Sequence, residues 1–489
     1  MKFLPVLSVL VLMFALLSFQ ACGQKEKSGN KSSTDGDIDD EAVSEYDNQS
    51  ESDATENEGS ESEHYSIEPS SKALLTRAGA HSNVWFQAQE ENGFPLPGLY
   101  YRQYSDMYSH FGMFRPLLNP LAALSVNEAC TLNYHQWRAS HTVREYDCGG
   151  LSVTETAHYA DLDKINIRFK IRNNGADTEF KLSGTAAFDL ENTLLKKSDG
   201  VEITINGHYA HLWSDAIPAQ WKASVTVSPG PEELEIDKKD ATWTMHYSIA
   251  ESKTTELLFE LELNETTPAL AGTAPKAMQD ESIAAYDIEI SNWLSQAPDK
   301  QLLSKPFYSN AWYLFFENSA APLGNWLETS ITPSKRHYFR GVWLWDSAFH
   351  ALALSEGGND AQSLARMQID NFVKQPFSDG HLSREIWVTD KNPGIQPPGL
   401  LTWASLVLAG YRKDSPPSPE TSALERLSSE YDIYKANHQW FLNTRDSDID
   451  GLYEWEGTDS GWDTSPRWDG GAVEALDLAC WLQLDAALL

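Results

Sequence analysis

The chain is poor in positive charge. Its 489 residues include 37 Lys and Arg against 71 Asp and Glu, a formal net charge of −34. Binding a nucleic-acid backbone takes a basic footprint that displaces counterions, so this balance excludes a nucleic-acid partner of that kind. Cysteine is scarce too: four residues are too few for a disulfide framework or a zinc-finger array. Long apolar runs are missing except for Leu4 to Leu17, behind Lys2, which falls short of the ~20 residues of a membrane-spanning helix. Tryptophan, in contrast, is plentiful at 17. Such flat apolar surface serves core packing and sugar binding alike, and composition alone favours the core.

The apolar run ends at Phe19-Gln20-Ala21-Cys22, a small residue before a cysteine after a short hydrophobic region. An ordinary secretory signal is one reading. Cys22 directly after Ala21 favours the other, a bacterial lipoprotein signal over residues 1–21 with Cys22 as the lipidated first residue, although Phe19 and Gln20 depart from the usual lipobox. Gly23 rather than Asp in the next position fits outer-membrane sorting. The expected location is therefore the bacterial cell envelope, with the chain held to the outer membrane by its N-terminal lipid. Residues 22–72 are mostly Ser, Asp, Glu, Asn and Gly. With almost nothing apolar to bury they cannot offset the entropy of ordering, and they read as a disordered acidic tether.

Residues 73–268 read as β. The run Lys164 to Arg172 alternates with period two and stops at the turn residues Asn173-Asn174-Gly175. Thr178–Gly184, Val201–His208, Trp243–Ile249 and Leu257–Leu263 repeat the pattern. Many short strands with polar turns indicate an antiparallel β-sandwich. Cys130 and Cys148 flank its start, either as a disulfide or as two buried thiols. Near Pro268 the period changes to 3.6. Helices are predicted over 282–295, 345–354, 361–373, 400–408, about 421–442 and from 471 onward, with Trp, Asp, Arg and Pro clusters between them. Paired helices behind motif-bearing loops suggest an all-α toroid over 269–489. The last of these helices is apolar almost all round, from Ala472 to Leu489, and has no capping signal. It reads either as a genuine terminal helix or, the expectation adopted, as a chain interrupted there.

Three loops concentrate chemistry. Asp446, Asp448 and Asp450 alternate ahead of Gly451 as in an EF-hand, but the twelfth position is Gly457 instead of the bidentate Glu. That leaves a looser Ca²⁺ site or a plain Asx turn. Asp459, Trp462, Asp463, Arg467, Trp468 and Asp469 follow, and carboxylates beside aromatic faces can hold a raised pKa and act as general acids. Arg340 to His350 sets Trp343 and Trp345 beside Asp346, where ring faces suit sugar C–H surface and the carboxylate suits hydroxyls. Asp379 to Glu385 leads to Gln396-Pro397-Pro398, offering the Arg384–Glu385 pair and a Gln held by prolines. Singly, each residue fits an ion pair or a turn as well; three such clusters in one helical region favour a site.

Arg340 to His350, Gln396-Pro397-Pro398 and Ser460 to Trp468 resemble motifs of the (α/α)₆-barrel glycoside hydrolases. The nearest group is family 63, with its processing α-glucosidases and mannosylglycerate-hydrolase-like enzymes, and the family 37 trehalases are close relatives. The three motifs occur in family order over roughly 275–489. The resemblance implies a fold of an N-terminal antiparallel β-sandwich followed by a partial (α/α)₆ toroid. It implies Asp463 as general acid and Trp345, Asp346 and Gln396 at the terminal sugar. Trp343, Arg384, Trp462 and Arg467 are expected to help hold and orient that sugar. Asp459 stands where the family has Glu. Calcium near the Asp446 loop is known in the family, and no cofactor is required. The implied reaction is hydrolysis of terminal α-glucosides or α-mannosides with inversion, on an oligosaccharide or small glycoside.

Inversion needs a second carboxylate across the sugar to activate water. In the family this is a Glu near the far end of the barrel, and no residue here matches it. Glu385 and Glu454 both lie in segments with other family roles. A competing reading is a non-catalytic carbohydrate-binding surface lipoprotein. A polysaccharide lyase would want a basic cleft, which the charge balance disfavours.

Overall fold

A computed structural model describes residues 66–67, 74–75, 84–87, 98–103, 113–118, 122–126, 130–161, 164–186, 191–209, 217–266, 282–322, 324–333, 341–387, 390–411, 421–456, 459 and 472–489. Residues 65–489 make one compact unit. The expected order holds: antiparallel sheets come first and helices after them.

The strands, in chain order, begin with β1 (Leu74–Leu75), β2 (Val84–Gln87), β3 (Gly98–Gln103) and β4 (Met113–Leu118), which form one small sheet. Next come β5 (Ala123–Ser125), β6 (Cys130–Trp137), β7 (His141–Cys148), β8 (Leu151–Asp161), β9 (Lys164–Asn173) and β10 (Thr178–Thr185). The set closes with β11 (Glu191–Lys196), β12 (Gly200–Tyr209), β13 (Ile217–Ser228), β14 (Glu233–Asp237), β15 (Thr242–Ile249) and β16 (Thr254–Thr266). An eight-stranded sheet has the order β11-β12-β13-β16-β9-β8-β7-β6, and a four-stranded one the order β14-β15-β10-β5.

Period-two patterning decides which face is buried. On β9 the side chains of Ile165, Ile167, Phe169 and Ile171 are buried, as are Leu257, Phe259 and Leu261 on β16, its neighbour in the sheet. Phe180 and Leu182 of β10 and Trp243, Met245 and Tyr247 of β15 do the same for the smaller sheet. The Asn173-Asn174-Gly175 turn joins strands of different sheets and closes no hairpin. Asn173 is fully buried there: its Nδ2 donates to Ala176 O (2.7 Å) and Ile249 O (3.0 Å), while Gly175 N donates to its Oδ1 (2.9 Å). Gly184 pairs with Trp243, and a Cβ on it would lie 2.0 Å from the indole Cζ2. Only glycine lets that ring cross the strand. Cys130 and Cys148 face each other across β6 and β7 and form a disulfide.

Among the described residues the helices are α1 (Ile283–Leu294), α2 (Pro306–Glu317), α3 (Leu344–Leu354), α4 (Asn359–Val373), α5 (Leu400–Leu408), α6 (Thr421–Thr444) and α7 (Leu476–Leu488). Six match the sequence expectation. The seventh, α2, escaped it because Pro306 to Glu317 is mostly aromatic and small residues with no polar face to give a period. Its start is nonetheless marked by a proline at the first helical position. Tyr313 of α2 joins the helices to the β region: its OH donates to Ala139 O (3.3 Å) and its ring meets Trp137 edge-on at 6.2 Å.

The last helix begins later than residue 471, because Val473–Glu474 pairs as a strand with Glu454–Trp455. It buries one stripe, Leu478, Leu482 and Asp485, and leaves Leu476 82% exposed. Asp485 sits against the start of α5. It accepts from Thr402 Oγ1 at 2.9 Å and lies 3.0 Å from His438 Nδ1, and Gly399, at φ 82°, passes close to its backbone.

Candidate active site

Three two-residue strands, β19 (Val342–Trp343), β20 (Glu385–Ile386) and β21 (Lys391–Asn392), form a small sheet at the head of α3. (β17, Ser319–Ala320, and β18, Ser330–Ile331, pair separately.) Trp343 lies opposite Glu385 in this sheet, and its ring meets Trp387 edge-on at 5.3 Å. Helix α3 starts at the next residue. Its first amides have no partner within the helix, and distant chain supplies them. Leu344 N donates to Arg384 O (3.0 Å), and Trp345 N donates to Gln396 Oε1 (2.6 Å). Gln396 is therefore a helix cap with its oxygen engaged.

Asp346 follows in the first turn, where the helix dipole favours an anion. Burial nevertheless pushes its carboxyl up to about 7 and Glu385 adds to the rise, against hydrogen bonds from its own amide and the Trp345 side chain. Behind it, buried Glu385 is held on every side. Arg384 Nε donates at 3.2 Å, Asn392 Nδ2 at 2.8 Å and Trp387 Nε1 at 3.4 Å. Arg384 Nη1 also reaches Asp459 Oδ1 (3.3 Å), and Arg445 Nη2 lies 3.7 Å from Asp459 Oδ2. Burial raises the Asp459 carboxyl; Arg384 and Arg445 oppose the rise.

The structure thus brings Trp343, Trp345, Asp346, Arg384, Gln396 and Asp459 into one network, although they span more than a hundred residues of chain. Trp462, Asp463 and Arg467, like Cys22, lie outside the described residues. The sequence reading missed Asn392 and Arg445. Asn392-Pro393-Gly394 carries a turn signal that conceals a buried amide, and Arg445 has no pattern around it.

Asp446, Asp448 and Asp450 bring their carboxylates within 4.8 Å of one another, and Asp448, Glu454 and Glu474 do likewise. Asp450 N and Gly451 N donate to the two oxygens of Asp446 (3.0 and 3.1 Å). Glu454 and Glu474 stand directly opposite in β22 (Glu454–Trp455) and β23 (Val473–Glu474), a like-charge pairing that destabilises a sheet on its own. The Glu474 carboxyl is pushed up, first by Asp450, then by desolvation and by Asp448, Glu454 and Asp446. An all-oxygen, multiply charged donor set fits a hard divalent cation.

Residues 339–478 match the family model described as the mannosylglycerate hydrolase MGH1-like glycoside hydrolase domain. No curated protein matches. Among solved structures, the chain is similar to one described as "Putative kojibiose phosphorylase from human microbiome", at 8% identity and a TM-score of 0.44, over 79% of this chain and 59% of that one. The chain spans, then, about 59% of that structure's length. Over residues 339–478 the chain is similar to glycoside hydrolase domains of the mannosylglycerate hydrolase MGH1-like group.

Proposed function

We propose that the complete protein hydrolyses terminal α-glycosidic bonds, on an α-glucoside or α-mannoside, with inversion. The observation that carries this reading is the assembly of Trp343, Trp345 and Asp346 at the head of α3 by Gln396 and Arg384. It presents aromatic faces beside a carboxyl group, the combination a sugar ring requires. With its carboxyl pushed up to about 7 by burial, Asp346 can donate to as well as accept from sugar hydroxyls below that pH. In this reading Asp463 protonates the leaving oxygen, and Trp462 and Arg467 complete the sugar site. Inversion also requires a second carboxylate, about 6.5–9.5 Å from the acid across the ring, to activate the attacking water.

Asp446, Asp448 and Asp450, joined by Glu454 and Glu474, would hold Ca²⁺ in a structural role. The N-terminal segment would act as a lipid anchor through Cys22 at the outer membrane. Among the described residues no helix is long and apolar enough to cross a membrane.

The test is Asp463→Asn in the natural-length protein, assayed on trehalose, mannosylglycerate and short α-glucans. Loss of turnover by at least about a hundredfold with unchanged thermal midpoint is expected. Near-full turnover would refute Asp463 as the acid. Wild-type sugar binding without hydrolysis would leave the carbohydrate-binding reading.

A further inference from the structure

His381 lies in the stretch from Asp379 to Glu385, ahead of Gln396. It is 5% exposed and stands in a stacked column. Its ring lies between Phe377 (centroids 4.4 Å apart, 14° between planes) and Trp440 (4.5 Å, 27°). Beyond these, Lys391 Nζ sits 4.7 Å over Phe377, and the Arg445 guanidinium sits 5.3 Å over Trp440. The edge of the imidazole is equally constrained. Nδ1 is 2.6 Å from Asp379 Oδ1, and Nε2 is 3.1 Å from Pro393 O. Trp440 Nε1 donates to the other oxygen of Asp379 at 3.0 Å.

A carboxylate oxygen and a proline carbonyl can only accept hydrogen bonds, so satisfying both at once takes a ring with both N–H groups. The charged groups around the ring are Asp379 on its own loop, Lys391 on β21 and Arg445 after α6. Pro393 is three residues before Gln396, whose oxygen caps Trp345 N. A continuous path of hydrogen bonds and short chain therefore runs from Trp440 and Asp379, through His381, to the loop that fixes the head of α3.

We propose that His381 is a positioning residue. By donating from both ring nitrogens, to Asp379 and to Pro393 O, it clamps the Gln396 loop onto α3 and so holds the Trp345–Asp346 platform in place. Only the kinetic arm of the test rests on the glycosidase reading.

The test compares His381→Phe, which keeps the stack and removes both donors, with His381→Gln, which keeps one amide donor for Pro393 O. Hydrogen–deuterium exchange is followed at single amides in the full chain. In the Phe variant, exchange at the Trp345 amide rises at least about tenfold, the scale of one charge-assisted hydrogen bond. The Leu344 amide, held by Arg384 O, and the amides of α4 stay unchanged. The Gln variant returns Trp345 to within about threefold of wild type. No rise in the Phe variant, or equal loss in both variants, overturns the proposal. Should the Phe variant not fold, ¹⁵N-histidine spectra of the wild-type chain near neutral pH decide. A ring carrying protons on both nitrogens, its signals removed in His381→Gln, is expected, and a singly protonated ring contradicts it. In the kinetic arm, KM for the hydrolysed α-glycoside rises about fivefold or more in the Phe variant while kcat stays within about twofold, because platform contacts bind ground and transition states alike. A wild-type chain without glycosidase activity would end the functional reading and leave the exchange result to judge His381.

Discussion

Asp346 makes a prediction that runs against its position. Replacing a buried, hydrogen-bonded carboxyl ordinarily destabilises a fold, yet Asp346→Asn is expected to stabilise this one at alkaline pH. The carboxyl moves from 3.8 to about 7 on folding, chiefly through burial with Glu385 adding to it. A group raised in this way prefers its proton in the folded chain. Its contribution is fully present below about 3.9, the unfolded value, and is lost as pH rises through about 7. At about 1.4 kcal/mol per unit the shift sets a ceiling of about 4 kcal/mol. Asp346 is half-buried, and screening by solvent reduces that to a working value of about 2 kcal/mol. Asparagine has nearly the same shape and never ionises, so it retains the neutral state at every pH. Urea unfolding of both chains from pH 4 to pH 8.5 gives the difference directly. The variant and wild type should coincide near pH 4, and the variant should gain about 2 kcal/mol by pH 8. A difference that stays flat with pH, or wild type more stable at pH 8, would refute the burial argument. A site residue that costs stability is what a binding carboxyl held out of water should be.

Other consequences are simpler to check. Calcium should raise the unfolding midpoint of wild type, by an amount equivalent to about 2.7 kcal/mol at a hundred times Kd; a chelator should reverse the rise, and Glu474→Gln with Asp448→Asn should remove it. Equal calcium response in that double variant would move the site elsewhere. Gly184→Ala should cost about 1–3 kcal/mol, because its methyl group meets the Trp243 ring, and a measured cost under about 0.5 kcal/mol would show that the ring moves freely aside. Reducing Cys130–Cys148, which spans 18 residues of sequence, should cost about 3 kcal/mol in denaturant titration. No change would mean that the β6–β7 pairing already restrains the unfolded chain.

Legibility in the sequence depended on how local the signal was. The alternation over Lys164 to Arg172 is a property of neighbouring residues, so β9 could be read directly. Which sheet the next strand enters is not local. Asn173 to Asp177 has turn chemistry, but it routes the chain from one sheet to the other. Helix α2 hid because burial on most sides erases the polar half of the period. In the site, Trp345, Asp346 and Gln396 were legible as motif residues, but the bond between Gln396 and the Trp345 amide was not, since capping from fifty residues away leaves no pattern in either segment. Glu474 stayed invisible for the same reason: only the pairing of Trp455 with Val473 sets it opposite Glu454. Cys130 and Cys148 stood out as a pair flanking the start of the β region, with a disulfide and two buried thiols both open, and their placement opposite each other across β6 and β7 decides for the bond.

The most direct test of the account is the anomeric form of the first sugar released. The natural-length protein is mixed with an α-glycoside it cleaves, and proton NMR is recorded before mutarotation equilibrates the product. Inverting hydrolysis at the Trp345–Asp346 platform predicts the β-anomer first, with release lost in Asp463→Asn. The α-anomer first, or no sugar released from any α-glucoside or α-mannoside, would contradict it.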